Sequence, residues 1–263
     1  MKINVLTFDT LDSTNTEAMK QARLGAEEGL CIVARQQTAG RGRHGRTWVS
    51  EKDAGLYFSL VLRPKIETRF LPLITLMAGV AVHDALQEYG LNPDIKWVND
   101  ILINEKKISG ILAETVETTK GIAVILGIGI NIRSSNFPEE IADLATSIEA
   151  EISSRPYEGG VDAFRGRRSS LPQNVQLQET LTKYISYFYD ILSHENGPKE
   201  ILDEWRRRSS YFSGKKVRVV LENEAIIGTT DGLEVNGALR VRKNDGNVTI
   251  IQAGDVERIR PAE

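Results

Sequence analysis

Cysteine and histidine are scarce in this chain, and their scarcity excludes several kinds of site. The 263 residues include one cysteine, Cys31, inside an apolar stretch, and three scattered histidines. A single cysteine rules out a disulfide framework and indicates a reducing compartment, with Cys31 as a buried structural thiol. Histidines without metal-ligand spacing, and the lack of a Walker A motif or a nucleophile elbow, argue against metal, triad and P-loop chemistry.

Long hydrophobic runs and a strong net charge are also missing. The longest apolar stretches, near residues 71–82 and 122–130, are too short to span a bilayer, and the N-terminus predicts a strand rather than a signal peptide. A net charge of -3 argues against broad affinity for nucleic acid. We therefore expect a cytoplasmic protein that does not enter a membrane.

What the chain does have is a short loop rich in glycine and arginine, at residues 40–46. It contains the letters G-x-G-x-x-G of a dinucleotide-binding loop, but such a loop must open a helix. Here the loop lies between two predicted strands, at residues 30–34 and 56–62, so that interpretation fails. A loop this basic is typical of a flexible flap that orders on a phosphate or carboxylate, which arginine binds through paired hydrogen bonds.

Hydrophobic spacing predicts an α+β fold in two parts, residues 1–210 and 211–263. The helices predicted in the first part lie at 14–25, 71–89, 175–192 and 198–209, with Thr14 to Glu17 as a capping box for the first of them. The remaining strands predicted there lie at 2–8, 95–97, 101–103, 107–116 and 121–132. The second part has short strands at 216–221, 225–230, 239–242 and 248–252, with turns at 231–232, 236–237 and 245–246. This spacing predicts a small SH3-like β-barrel.

Residues 151–174 break the pattern, because they combine prolines, adjacent glycines and serines with little apolar periodicity. They predict an exposed inserted loop. The basic run from Arg165 to Arg168 is compatible with a second anion clamp, although a solvated loop is the simpler interpretation.

Ser13, Thr14 and Asn15 stand at a predicted helix N-terminus. Their small polar side chains and the free backbone N–H groups are suited to grip a urea, amide or carboxylate. The same residue types also serve simply as helix caps, and the residues alone leave both interpretations open.

Glycines inside two neighbouring predicted strands indicate a ligand that lies against the sheet. Gly110 interrupts one strand, and Gly127 and Gly129 interrupt the next. A glycine weakens a strand and is best explained by something that approaches the backbone closely. Ordinary turn chemistry accounts for Asn99 and Asp100 but leaves the preceding lysine and tryptophan unexplained.

Five ordered segments resemble the biotin protein ligases: residues 13–15, 37–48, 96–100, 107–114 and 127–131. The resemblance implies a catalytic domain related in fold to class II aminoacyl-tRNA synthetases, with a mixed sheet packed by helices, followed by an SH3-like β-barrel. It implies that biotin and ATP, with Mg²⁺, form biotinyl-5′-AMP and pyrophosphate. A lysine of a biotin carboxyl carrier protein then displaces AMP.

The resemblance also assigns roles to residues. The biotin contacts it implies are Ser13, Thr14, Asn15, Gln37, Arg41, Gly42, Arg43, Lys107, Gly110 and Gly129. The ATP contacts it implies are Arg43, Arg46, Trp48, Lys96, Asn99, Asp100 and Asn131, with Asp100 also as the Mg²⁺ ligand.

Within these sets, Lys107 bridges the biotin carboxyl and the α-phosphate. Arg41 and Arg43 join it as the catalytic cations that stabilise charge at phosphorus. Gly110 and Gly129 make room for a ring system, and Trp48 is placed to stack on adenine. Residues 40–46, called the lid loop below, are expected to be disordered without ligand and to close over the adenylate.

The resemblance further implies the carrier domain of acetyl-CoA carboxylase as partner and a homodimer formed through sheet edges. Because the chain starts directly at the catalytic domain, we expect the monofunctional type with no DNA partner. The nearest rival is a lipoate–protein ligase, but its usual Arg-Arg and triple-glycine loop differs from this alternating one. A non-enzymatic RNA-binding protein is the other rival, and net acidity and the few aromatics beside the arginines count against it.

Overall fold

A computed structural model describes residues 1–134, 137–154, 172–221 and 224–258. The strands are β1 Asn4–Leu11, β2 Leu30–Gln37, β3 Gly55–Leu62, β4 Asp94–Lys96, β5 Asp100–Ile103, β6 Lys106–Thr118, β7 Gly121–Asn131, β8 Ser213–Val220, β9 Ala225–Leu233, β10 Leu239–Arg242, β11 Val248–Ile251 and β12 Asp255–Arg258. The helices are α1 Thr14–Arg23, α2 Leu73–Glu88, α3 Glu139–Ala142, α4 Ile148–Ser153, α5 Asn174–Leu192 and α6 Gly197–Arg208.

The strands form two sheets, and the predicted α+β class is confirmed. The first sheet has seven strands in the order β1-β2-β3-β7-β6-β5-β4. It is mixed, because β1 pairs with β2 in parallel while the other neighbours pair antiparallel. The second sheet has five antiparallel strands in the order β11-β10-β9-β8-β12.

The two faces of the first sheet are covered very unequally. On one face lies the main core, where the buried helix α2 packs against the sheet and against α5 and α6. The other face is covered by α1, whose Ala18 and Ala22 pack on Ile32, Val61 and Ile125. Because α1 is only 10 residues long, it covers part of this face and leaves the glycine-bearing ends of β6 and β7 accessible.

Helix α2 is the apolar segment that the sequence placed at residues 71–89. Together with the turn before it, the helical stretch Thr68–Glu88 has 21 residues, and a window of 18 residues within it has a mean hydropathy of 1.4. This stretch is long and apolar enough to cross a membrane, which corrects the expectation drawn from the shorter uninterrupted run. Most of it is buried inside the protein, as expected for a core helix.

Buried hydrogen bonds fix the second sheet against the first. Trp97 Nε1 donates to the carbonyl of Gly237 at 2.9 Å. The Gly237 turn lies so close to α2 that a Cβ there would be 2.8 Å from Leu76 and 2.9 Å from Leu73. Ser209 Oγ, just after α6, donates to the carbonyl of Ile95 at 2.6 Å. This docking carries the start of β12 to the lid loop.

Two local predictions are wrong because distant partners decide the geometry. Asp231 and Gly232 lie inside β9 rather than in a turn, since the Gly232 N–H donates to the carbonyl of Phe212 at 2.8 Å. The capping box at Thr14 to Glu17 is not formed. The N-cap is Ser13, and the Glu17 carboxylate accepts from Gln21 at 2.7 Å instead of returning to the cap.

The sequence also missed β12, α3 and α4. The predicted inserted loop at 151–174 therefore needs correction at both ends, because residues 151–153 belong to α4 and Asn174 begins α5. Residues 155–171, which include the run from Arg165 to Arg168, lie outside the described residues.

Candidate active site

The residues that the sequence singled out line a single cavity of about 620 Å³. It lies over the accessible ends of β6 and β7, between the N-terminus of α1, the lid loop and the start of β12. The predicted residues that line it are Ser13, Thr14, Asn15, Gln37, Arg41, Gly42, Arg43, Arg46, Trp48, Lys96, Asn99, Asp100, Lys107, Gly110, Gly129 and Asn131. The structure therefore brings together residues from both predicted contact sets.

The side chains at the N-terminus of α1 build a polar floor at one end of this cavity. Ser13 is buried and makes no side-chain capping hydrogen bond. Thr14 donates from its backbone N–H and its hydroxyl to Gln37 Oε1, at 2.8 and 3.1 Å. Asn15 Nδ2 donates to the Leu112 carbonyl at 3.2 Å and to Glu114 Oε2 at 2.8 Å. The simple capping interpretation therefore fails for these side chains.

Ser59 on β3, which the sequence analysis missed, completes the polar floor. It is fully buried, and its hydroxyl lies 2.8 Å from Thr14 Oγ1 and 2.5 Å from Asn15 Oδ1. Gly127 makes room for this arrangement, because a Cβ there would lie 2.0 Å from Asn15 Oδ1. We call Ser13, Thr14, Asn15, Gln37 and Ser59 the polar floor; a serine within an apolar strand was the one sequence signal for Ser59.

Trp48 fills the room at Gly110 and Gly129 in this structure, so a side chain of this protein already accounts for these glycines, and their role toward a ligand ring stays a prediction. A Cβ on Gly129 would lie 2.4 Å from Trp48 Nε1, and one on Gly110 would lie 3.0 Å from its Cζ3. The flat indole can approach the strands only where side chains are missing. Its buried Nε1 has no hydrogen-bond partner within the described part of the chain.

Asp100 and two lysines form the charged centre of the cavity. Its carboxylate lies 2.5 Å from Lys107 Nζ and 3.3 Å from Lys96 Nζ. Burial alone would raise the pKa of Asp100, but Lys107 and Lys96 outweigh burial and hold that pKa below its ordinary value of 3.8. The Lys107 ammonium also lies 5.5 Å from the centre of a Trp48 ring.

The lysine pair changes the role expected for Asp100 as a Mg²⁺ ligand. A carboxylate held by two ammonium groups is a poor ligand for a resident ion, because the cations compete for the same oxygens. In the described residues, no group of three or more His, Cys, Asp or Glu side chains is placed to hold a metal. The described residues therefore offer no cage of protein ligands for a resident Mg²⁺ ion, and a contact between Asp100 and the Mg²⁺ of a bound nucleotide stays a prediction.

Arg41 and Arg43 of the lid loop are held by the first sheet and by the segment before β12. Arg41 Nη2 lies 2.8 Å from Glu114 Oε2 on β6. Arg43 Nη1 donates to Asn99 Oδ1 and to the carbonyl of Gly254, each at 3.2 Å. Burial is the main influence on Arg43 and lowers its pKa, although Asp255 and Asp100 oppose the shift.

Arg46 ties the lid loop directly to β12. Its Nη2 lies 2.6 Å from Asp255 Oδ2, although two-thirds of the Arg46 side chain (67%) is exposed. Arg41 and Thr47 form a short antiparallel bridge that closes the loop on itself. Every residue of the lid loop is described, so its disorder without ligand stays a prediction.

Asn99 and Asn131 also serve the scaffold. Asn99 exchanges two hydrogen bonds with Ile111: its Nδ2 donates at 2.9 Å and its carbonyl accepts at 3.0 Å. Asn131 Nδ2 donates to the Thr146 carbonyl at 3.0 Å. Both amides fix the strands around the cavity, and any contact with ATP would add to this role.

Several lining residues had no sequence signal. They comprise an apolar wall from the α3 region and polar groups near the second sheet: Phe137, Ile141, Leu144, Ala145, Glu105, Tyr211 and Asp255. Backbone hydrogen bonds of Lys107 hold this wall against the cavity. The Lys107 N–H donates to the Leu144 carbonyl at 2.7 Å, and the Lys107 carbonyl accepts from the Thr146 N–H at 2.9 Å.

The pH dependence of stability should report the lowered pKa of Asp100. Because the folded-state pKa lies below 3.8, the charged carboxylate stabilises the fold above that pH, and the contribution fades as the pH falls through the folded pKa. The melting-temperature advantage of wild type over Asp100→Asn should be constant from pH 8 to about pH 4 and shrink below it. An advantage that instead grows as the pH falls from 7 to 5 would mean a raised pKa.

Comparison with known proteins supports the assignment that this geometry suggests. The family model described as Biotin/lipoate A/B protein ligase family matches residues 7–131. The bifunctional ligase/repressor BirA of Bacillus subtilis is 35% identical over 260 residues, which cover 97% of this chain and 74% of that protein. The biotin–[acetyl-CoA-carboxylase] ligase of Mycobacterium tuberculosis is 29% identical, over 94% of this chain and 86% of that protein.

A solved structure agrees over the whole fold. The biotin protein ligase from Aquifex aeolicus in complex with biotin and ATP matches with a TM-score of 0.74 and 29% identity, over 97% of this chain and 99% of that one. The chain therefore belongs to the biotin/lipoate A/B protein ligase family, where it groups with the biotin protein ligases. It is a ligase, as the five segments predicted.

Proposed function

We propose that this protein activates biotin with ATP as biotinyl-5′-AMP, releasing pyrophosphate, and then transfers biotin to a specific lysine of a biotin carboxyl carrier protein. The observation that carries the proposal is the convergence of both predicted contact sets on one cavity. The Aquifex relative described above holds biotin and ATP, and the mycobacterial relative is named for acetyl-CoA carboxylase.

The shape and polarity of the cavity support a position for biotin. The polar floor offers neutral donors and acceptors, which suit the uncharged ureido head group. Within the described residues, the Ser13 hydroxyl makes no capping hydrogen bond, so it is free to bind the head group. The cations Arg41, Arg43 and Lys107 lie toward the other end, where the biotin carboxylate would meet the α-phosphate.

In the first half-reaction a carboxylate oxygen of biotin bonds to the α-phosphorus, and the bond from that phosphorus to the pyrophosphate oxygen breaks. The enzyme supplies no nucleophile in this step. Its contribution is to hold two anions together and to stabilise the charge that develops on the phosphoryl oxygens, which Lys107, Arg41 and Arg43 are placed to do. Arg46, Trp48, Lys96, Asn99, Asp100 and Asn131 would hold the nucleotide.

In the second half-reaction the neutral ε-amine of the carrier lysine bonds to the acyl carbon, AMP leaves, and the amine gives up a proton to solvent. The lid loop would shield the acyl-adenylate from water until the carrier arrives. Its three arginines contact acceptors on β6, on β12 and in the segments just before β5 and β12, which supports a closed position over the cavity.

Mg²⁺ enters this proposal with ATP, as part of the substrate. The described carboxylates of the cavity offer no resident metal site, whereas ATP phosphates bind Mg²⁺ with water completing its octahedron. Lys96 and Lys107 keep Asp100 charged, and Asp100 in turn orients both lysines toward the phosphates.

We also infer the organisation around this activity. The catalytic domain, residues 1–210, would be related in fold to class II aminoacyl-tRNA synthetases, and residues 211–263 would form an SH3-like β-barrel; the separate five-stranded sheet supports that division. We place this activity in the cytoplasm. A homodimer is supported by β6, because within the described strands β5 pairs only with Lys106–Gly110 of that edge.

The deciding experiment incubates the purified protein with biotin, ATP and Mg²⁺ and measures pyrophosphate release. We expect release that depends on biotin, and mass spectrometry should show a biotin carrier domain gaining one biotin on one lysine. A carrier variant with that lysine replaced by arginine is the control.

Lipoate is the matched test of specificity, because the family includes lipoate ligases. The same assay with lipoate in place of biotin should give little pyrophosphate. If lipoate is the only acid accepted, the biotin assignment is wrong although the reaction type stands.

A further inference from the structure

Glu114 on β6 has no part in the reaction described above, yet it holds two of the residues that do. Its Oε2 lies 2.8 Å from Asn15 Nδ2 and 2.8 Å from Arg41 Nη2. Asn15 belongs to the polar floor and Arg41 to the lid loop. A single carboxylate oxygen therefore joins the polar floor to the lid loop.

The floor side of this link is held firmly in place. Asn15 Oδ1 lies 2.5 Å from Ser59 Oγ, and Asn15 Nδ2 also donates to the carbonyl of Leu112. Gly127 lies directly behind Asn15, since a Cβ there would be 2.0 Å from Oδ1. With its amide fixed on three sides, Asn15 holds the Glu114 carboxylate in one orientation.

The lid side of the link leaves most of Arg41 for a ligand. A guanidinium carries five N–H donors in a rigid fork. Within the described residues, Nη2 is the nitrogen of Arg41 that has a hydrogen-bond partner. The contact with Glu114 therefore orients the guanidinium through one of its nitrogens. The remaining N–H donors can bind a carboxylate or phosphate in the cavity that Arg41 lines.

We propose that Glu114 is a positioning residue that ties the lid loop to the polar floor and presents Arg41 to the biotin carboxylate. This inference rests on the proposed function and deepens it, because it names a residue outside the cavity lining that sets the affinity for biotin. Glu114 acts through Arg41 on the acid substrate, so the binding of ATP should be much less sensitive to it.

The test replaces Glu114 by glutamine, which keeps the size and removes the charge. A charge-assisted hydrogen bond is roughly twice as strong as a neutral one, so the KM for biotin in pyrophosphate release should rise about tenfold. The KM for ATP should stay within about twofold, and kcat should fall by less than the KM for biotin rises, because Lys107 and Arg43 share the charge at phosphorus with Arg41. Glu117→Gln is the matched control, because Glu117 lies on the same strand with an exposed side chain, and it should change neither constant.

A double-mutant cycle shows whether the effect passes through Arg41. In an Arg41→Ala background, Glu114→Gln should raise the KM for biotin by less than about twofold, because the partner is already gone. Effects of the two substitutions that multiply independently overturn the proposal. So does a Glu114→Gln variant that lowers kcat and leaves the KM for biotin unchanged.

Limited digestion with trypsin tests, without any measurement of catalysis, whether Glu114 holds the lid loop in place. With saturating biotin, cleavage after the lid-loop arginines, located by mass spectrometry, should be faster in Glu114→Gln than in wild type or Glu117→Gln. Equal cleavage in all three proteins overturns the link. If wild type releases no pyrophosphate with biotin, the proposed function fails, and the same digestion without ligand still decides whether Glu114 holds the lid loop.

Discussion

Lys107→Ala is expected to abolish biotin-dependent pyrophosphate release while the protein stays folded. Losing one preorganised positive charge at the reacting phosphoryl group should cost about a thousandfold in rate. Folding should survive, because Lys107 is partly exposed and its Nζ contacts polar and aromatic groups at the cavity rather than the core. Pyrophosphate release and thermal unfolding followed by circular dichroism measure the two effects separately.

Lys106→Ala is the matched control, because the neighbouring lysine is exposed and should tolerate the change without loss of activity. Lys107→Met, which keeps the length and removes the charge, should be as inactive as Lys107→Ala. If either Lys107 variant keeps near-wild-type adenylation, the role of this lysine at phosphorus is wrong. Removing Lys107 should also raise the pKa of Asp100, since Lys107 is the main neighbour that holds it down.

Residues close together in sequence carry much of the site, and these were predictable. The lid loop was placed between two strands from the apolar runs on either side, and β2 and β3 confirm that setting. The glycines of β6 and β7 correctly indicated a close approach to the backbone. What they could not indicate was the identity of the approaching group, which proves to be Trp48 for two of them and Asn15 for Gly127.

Contacts between the two sheets could not be predicted from the sequence. Arg46 meets Asp255 across 209 positions of the chain, and this pairing depends on how the second sheet docks through Trp97 and Gly237. Glu114 stood in one of the five recognised segments, but its contacts could not be predicted. They depend on Asn15 and Arg41, from different elements, binding the same carboxylate oxygen. Local patterns specify elements, whereas these contacts depend on tertiary packing.

Gly129→Ala should disrupt the site by expelling an indole. The added methyl group would lie 2.4 Å from Trp48 Nε1, far inside van der Waals contact, so Trp48 must leave its slot. Overpacking of this kind costs about 1–3 kcal/mol of stability. Adenylation should fall about a hundredfold, because displacing Trp48 also displaces the adjacent lid loop. Thermal unfolding and pyrophosphate release are the measurements. Gly110→Ala, where the nearest Trp48 atom is 3.0 Å away, should show the same effects in weaker form.

Stability in a Trp48→Ala background identifies the cause. If the glycine exists to admit the indole, Gly129→Ala should lower the melting temperature in wild type but hardly at all once Trp48 is absent. An equal drop in both backgrounds would mean that the strand itself needs the glycine. If Gly129→Ala lowers the melting temperature in neither background but abolishes biotin binding, the original interpretation that the glycine faces the ligand is correct. The two substitutions together therefore separate a slot built for a protein side chain from one built for a substrate.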